Sequence, residues 1–177
     1  MRTLYTVCYP DIAPDDLAFI EELREQHDLP YCNVVAAHFT LVFGVREISE
    51  PQYVNHVQSV AASSKEIPFT CRYAMLGADD LSDAAYVFLV PDEGYSSVSL
   101  LHDRLYSGPL ERFHRLDIPY IPHITIATLQ DRQVAKMLCT QLNREGLCIA
   151  GTLRAVTVGA LEDGKFTNLA SVGLHAA

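Results

Sequence analysis

Short β-branched and aromatic runs alternate along the chain with stretches whose apolar residues recur at helical spacing. Residues 4–9 form a run of the first kind, closed by Pro10 and Asp11, and predict a strand. Residues 15–27 follow, with Pro14 at the start and Leu17, Ile20 and Leu23 on one face, and predict an amphipathic helix. The same reasoning gives strands over 38–43 (ending at Gly44), 69–76, 85–90 and 124–129. It gives helices over 52–63, 97–106 (with Leu100, Leu101 and Leu105 on one side) and 132–143. Residues 108–122, with Pro109, Pro119 and Pro122, read as irregular. Residues 152–161 and 166–174 predict a hairpin, because Asp163-Gly164 supplies the positive φ angles of a tight turn.

This order contains a repeat. Tyr5-Thr6-Val7-Cys8-Tyr9-Pro10-Asp11 aligns with Tyr86-Val87-Phe88-Leu89-Val90-Pro91-Asp92 at an offset of 81 residues. Each copy is followed by a helix and then by a strand bearing His-apolar-Thr-apolar, the two motifs being offset by 85. The second unit therefore gains four residues before its motif, and the proline-rich loop is the natural place for them. Two similar halves that cannot each close a core are expected to pack about a pseudo-two-fold axis.

Composition narrows the function. With 49% hydrophobic and 20% charged residues, the 177-residue chain can bury a core. It reads as one unit, residues 1–177, made of two similar lobes. A net charge of −9 disfavours long nucleic acid, whose phosphate backbone needs a basic face; a small nucleotide or short oligonucleotide needs only a few donors. The five cysteines are odd in number and lack framework spacing, so buried reduced thiols and a cytoplasmic setting are expected. No apolar run approaches the length of a membrane helix, so no membrane partner is expected, and the protein reads as a monomer.

The chemistry concentrates in His38-Phe39-Thr40-Leu41 and His123-Ile124-Thr125-Ile126. Residues i and i+2 of a strand share a face, so each motif sets an imidazole beside a hydroxyl and turns Phe39 or Ile124 into the core. A phosphodiester opened in line needs a base for water and an acid for the leaving oxygen on opposite sides of phosphorus; histidine serves either role near neutral pH. The hydroxyls of Thr40 and Thr125 can donate to the non-bridging oxygens. Ordinary histidines would give a bell-shaped pH profile with near-neutral limbs.

The doubled motif, running into Val42-Phe43-Gly44 on one side and preceded by Pro122 on the other, resembles the two-histidine (2H) phosphoesterase superfamily, which includes the 2′,3′-cyclic phosphodiesterases and the 2′-5′ RNA ligases. The resemblance extends over essentially the whole chain. It implies a bilobal α+β fold, two pseudo-symmetric antiparallel sheets with outer helices around a central cleft. It also implies metal-independent hydrolysis of a cyclic phosphate or 2′-5′ linkage without a cofactor. Ala37 stands where members often have proline. Family-style roles make His123 the base and His38 the acid, an assignment the pseudo-symmetry leaves open. A nucleotide sensor on the same fold, and 2′-5′ ligation as the reverse reaction, are the alternatives.

Other signals are weaker. Gly159 to Lys165 spells G-x-x-x-x-G-K, but Phe166 replaces the Ser or Thr of a P-loop and a strand follows where a helix is needed. No spacing suits zinc, and the pairs Asp15-Asp16, Glu21-Glu22 and Asp79-Asp80 read as solvated faces or loop tips. Cys8 and Cys32 lack a recognisable nucleophile site. Arg46, Arg115 and Tyr120 are candidate substrate contacts, with Arg112, Phe113 and His114 beside them. His27, His56, His102 and His175 carry no motif.

Overall fold

The computed structural model describes residues 2–78 and 83–176, so the Asp79-Asp80 pair lies outside the described residues. The strands are β1 (Thr3–Cys8), β2 (Asp11–Ile12), β3 (Phe39–Val45), β4 (Ile67–Ala78), β5 (Ala85–Glu93), β6 (Ile124–Leu129), β7 (Ile149–Leu153), β8 (Ala155–Glu162) and β9 (Lys165–Gly173). The helices are α1 (Pro14–His27), α2 (Glu50–Ala61), α3 (Tyr95–Leu105) and α4 (Arg132–Glu145), with a 3₁₀ turn at Gly108–Phe113. All named strands pair antiparallel in one curled sheet of order β2-β7-β4-β5-β6-β3-β1-β8-β9.

The expected α+β class is present, and the two antiparallel sheets expected are the two halves of one continuous sheet. They meet edge to edge through one residue pair, Phe39 with Ile124 on β3 and β6. Counting outward from that pair, β3 and β6 correspond, as do β1 and β5, and then β8 and β4. The register repeats as well. Cys8 pairs with Phe39 and Leu89 with Ile124, which reproduces the sequence offsets of 81 and 85. In each half the ladder slips just beyond the motif threonine, between Thr6 and Val7 on β1 and between Val87 and Phe88 on β5. Such bulges re-aim side chains. The 81-residue offset still holds at the helix starts, Pro14 and Tyr95, so the second half gains its extra residues later, in the segment containing the 3₁₀ turn and the prolines.

The first helix of each half crosses over: α1 packs on β6 and α3 on β3, while α2 covers β8 and β9 and α4 covers β4 and β5. Phe39, Leu41, Ile124 and Ile126 meet Ile20, Val57, Leu101 and Leu105 in one core. A buried ionic group secures the α1 crossover. Arg24, 2% exposed, pairs with Asp28 and Glu21 and donates to the Val35 carbonyl at 2.7 Å; Asp28 accepts from Thr128 on β6 at 2.7 Å.

Several expectations change. Residues 152–161 are two strands, because the chain switches halves at Arg154: β7 pairs with β4 and β8 with β1. Arg154 marks the switch with ion pairs to Asp11 and Glu66. Leu17 and Leu100 face outward; α1 buries Arg24 beside Ile20, and α3 buries His102 beside Leu101. Glu21 is more than a solvated helix-face charge: part-exposed, its carboxylate accepts from Arg24 and from the Ala37 amide at 2.8 Å. The hairpin stands, with positive φ at Asp163 and Gly164, and with it the rejection of a P-loop. Among the described residues no helix is long and apolar enough to cross a membrane.

Candidate active site

The central pair fixes where the chemistry goes. An antiparallel register with Phe39 opposite Ile124 sets His38 level with Thr125, and His123 level with Thr40. Phe39 and Ile124 are fully buried towards the helices, so the four motif side chains share the opposite face. Each threonine thus stands across from the other strand's histidine. The histidines are diagonal neighbours, a separation of about 7–8 Å between backbones in such a pair, which leaves room for a phosphate.

Both imidazoles are held in the same way. His38 Nδ1 lies 2.8 Å from the Ala36 carbonyl oxygen, and His123 Nδ1 lies 2.6 Å from that of Ile121. A carbonyl only accepts, so Nδ1 carries the proton in each ring and Nε2 presents a lone pair. The Nε2 atoms differ in surroundings. That of His38 accepts from the Thr40 hydroxyl at 3.1 Å, whereas that of His123 has no hydrogen bond among the described residues. His123 instead lies flat on Phe88, ring centres 3.8 Å apart, and Tyr9 meets His38 edge-on at 6.4 Å.

Both rings keep a partial opening to solvent, yet protein surrounds them closely. Desolvation dominates their titration and lowers both pKa values to about 4. The backbone bonds oppose this, while the Arg24 charge near His38 and the His38 charge near His123 add to it. Burial thus sets both rings below the ordinary histidine range and favours their neutral forms at pH 7. On this ground the limbs of a two-histidine pH profile are expected on the acid side of neutrality.

The expected contacts scatter. Arg46 lies past the far end of β3 and donates to Thr3 at 3.0 Å, well away from His38. Arg115 is ion-paired to Asp117 in the loop before β6. Tyr120 serves the structure, its hydroxyl donating to the Thr40 carbonyl at 2.9 Å and its ring lying flat on His102 at 3.6 Å. It belongs to a set of side chains that serve the β3 edge beyond Phe39, where β6 has turned away. His102 Nδ1 donates to the Leu41 carbonyl at 2.8 Å, and the Tyr106 hydroxyl accepts from the Phe43 amide at 3.0 Å. Buried strand edges need such partners. Arg112 lies over Phe113 at 4.6 Å, which gives that ring a local partner. Cys8 is buried, donates to the Ala155 carbonyl, and has its thiol pushed up to about 12, the state of an inert core group.

Sequence reasoning missed the aromatic frame around the motifs. Phe88 and Tyr86, with Tyr5 and Tyr9, occupy strand positions of the same parity as the residues opposite Thr125 and Thr40. Phe88 lies over Gly77, where a Cβ would come within 2.1 Å of the ring, and Phe166 lies likewise over Gly159. The signal was present in the alternation Tyr5-x-Val7-x-Tyr9 and Tyr86-x-Phe88, inside the repeat itself.

The chain matches the family model described as the 2′-5′ RNA ligase superfamily over residues 10–165. No curated protein matches it. Similar solved structures include E. coli LigT complexed with 3′-AMP, at 17% identity and a TM-score of 0.57 over 98% of each chain. TT0787 of Thermus thermophilus gives 15% and 0.60 over 98% of each chain. Kluyveromyces marxianus Usb1 gives 9% and 0.56 over 97% of this chain and 98% of that one. At such identities the likeness is one of fold.

Proposed function

The chain belongs to the 2′-5′ RNA ligase superfamily, and from that premise we propose a metal-independent phosphodiesterase acting on a small cyclic phosphate, a nucleoside or RNA-end 2′,3′-cyclic phosphate, or on a 2′-5′ linkage. The observation that carries this reading is the interlocked register at Phe39 and Ile124, which offers a phosphate one imidazole and one hydroxyl from each strand. That structures of LigT hold 3′-AMP, ATP and NADP+ supports a nucleotide as the ligand class.

We assign His123 as the base, because its Nε2 lone pair is uncommitted, and His38 as the acid. Water attacks phosphorus and gives its proton to His123 Nε2. The opposite P–O bond breaks, and the departing ribose oxygen takes from His38 Nε2 a proton that this ring has gained from solvent before the attack, a state in which Thr40 no longer donates to it. Thr40 and Thr125 donate to the non-bridging oxygens. The ring opens to a monophosphate, and the two imidazoles exchange protons with solvent before the next turnover.

The test is hydrolysis of the four nucleoside 2′,3′-cyclic phosphates in EDTA by wild type, His38→Ala and His123→Ala. Each substitution is expected to cost about 10²-fold or more in rate, and the double variant far less than the product of the two. Full activity in His38→Ala overturns the mechanism. Saturable nucleotide binding without turnover by wild type would replace hydrolysis with a sensor role.

A further inference from the structure

Outside the phosphodiester site, three ligand-type side chains converge where α3 meets the loop after the 3₁₀ turn. One donor atom each from His102, Asp103 and His114 lies within 4.8 Å of the other two. His102 is 2% exposed, and its Nδ1 is committed to the Leu41 carbonyl. Its Nε2 is thereby turned towards Asp103 Oδ1, 4.0 Å away, which is beyond hydrogen-bond length. Stacking fixes both imidazoles. Tyr120 lies against His102 at 3.6 Å and 3°, and Tyr106 lies against His114 at 4.7 Å and 15°. The two rings meet edge-on at 5.4 Å.

Capping the β3 edge accounts for His102 Nδ1. It does not account for a carboxylate near the other nitrogen and a second imidazole beside them. We propose that His102, Asp103 and His114 bind one divalent transition ion of the zinc class, with water completing the coordination. Two imidazoles and one carboxylate suit zinc, cobalt or nickel better than calcium or magnesium, which prefer all-oxygen sets. The Leu41 carbonyl is the outer partner that a ligating histidine ordinarily has, fixing its tautomer and its direction. Tetrahedral bonds of about 2.0–2.1 Å set ligand atoms about 3.3 Å apart, so the group must draw in slightly. His102 is the fixed anchor; Asp103 is exposed and His114 sits in a loop, so those two can move.

The ion takes no part in the phosphodiester reaction. It ties α3 to the segment leading to His123 and, through Leu41, to the strand that carries Thr40. The ion site is independent of the proposed activity, because its readout is metal binding.

The experiment uses the full-length protein, stripped with EDTA, dialysed and titrated with zinc, with bound metal measured by calorimetry and elemental analysis. One zinc per chain is expected, with a thermal midpoint that rises with zinc concentration. Affinity is expected to fall by at least about tenfold in His114→Ala and in Asp103→Asn, both positions that a fold can spare. Cobalt in place of zinc is expected to show no thiolate charge-transfer band, which separates this site from the cysteines. No binding by wild type, unchanged affinity in either variant, or binding lost instead in the His38→Ala, His123→Ala double variant would overturn the proposal.

Discussion

Lowering the pH from 7 to 5 is expected to raise kcat/KM for a nucleoside 2′,3′-cyclic phosphate by about 10²-fold. The proposed mechanism needs one imidazole protonated and one neutral. With both pKa values near 4 in the free protein, about one molecule in 10³ carries the required proton at pH 7 and about one in 10 at pH 5. The rate should therefore climb about tenfold per pH unit across that range. The bound substrate's negative charge favours the imidazolium, so the kcat profile should lie at higher pH than that of kcat/KM.

The assay is initial rates at constant ionic strength from pH 5 to 8, paired with NMR titration of the imidazole protons in wild type and in each single histidine variant. A kcat/KM maximum between pH 6.5 and 7.5, together with titrations near 6.5, would refute the desolvation argument whatever the activity. Stability supplies a second check. Folding depresses both pKa values, so the neutral ring is the form the native state prefers. That contribution is complete above pH 6.5 and is lost as pH falls towards 4. For rings partly open to solvent it is on the order of 2 kcal/mol each, readable in denaturant midpoints at pH 7 and pH 5.

Arg24→Ala is expected to cost about 3–5 kcal/mol, because it strands Asp28 and Glu21 in partly or fully buried positions, and chemical denaturation measures this directly. Glu21→Ala removes the acceptor for the Ala37 amide and should lower kcat more than it raises KM, since the turn carrying His38 loses its tether; steady-state kinetics separate the two. Phe88→Ala opens one face of His123 to water, so its pKa should rise towards 6.5, readable by the same NMR titration. Gly77→Ala places a methyl where the Phe88 ring lies and should destabilise the fold and disturb that stack, measured by thermal melting and by activity.

That the two histidines and two threonines share one face was legible because strand parity and the repeat both act on sequence directly. Offsets of 81 and 85 in the chain reappear as the pairing of Cys8 with Phe39 and Leu89 with Ile124. What escaped was decided by long-range packing. Residues 152–161 read as one apolar strand, and nothing local says that the chain changes halves at Arg154. Nothing local marks Arg24 for burial within the first helix; it is buried because α1 crosses over to β6. Arg46 lay near a motif in sequence, yet a strand carries its residues about 3.3 Å apart, so eight positions took it far from His38. The burial that lowers the histidine pKa values escaped for the same reason, since desolvation is set by neighbours that the sequence does not place.

Where the pseudo-symmetry breaks is as informative as where it holds. Both motif strands lose their strand partner beyond the central pair, and both receive the first helix of the other half. On β6, α1 answers with buried ions, Arg24 and Asp28, the latter reaching Thr128. On β3, α3 answers with His102 and Tyr106, and Tyr120 joins them. The face that carries the motif side chains differs in the same sense. Val7 stands opposite Thr40, where the corresponding position opposite Thr125 holds Phe88, whose ring covers His123. A symmetric pair would offer a phosphate two equivalent approaches, each histidine serving as acid half of the time. With the arginine charge near His38, the phenyl face on His123, and Thr40 holding one Nε2 while the other stays free, the approaches are distinct. Two copies of one motif thereby gain separate environments, the asymmetry that the proposed acid and base roles require, and the differences lie in residues that the repeat itself does not share.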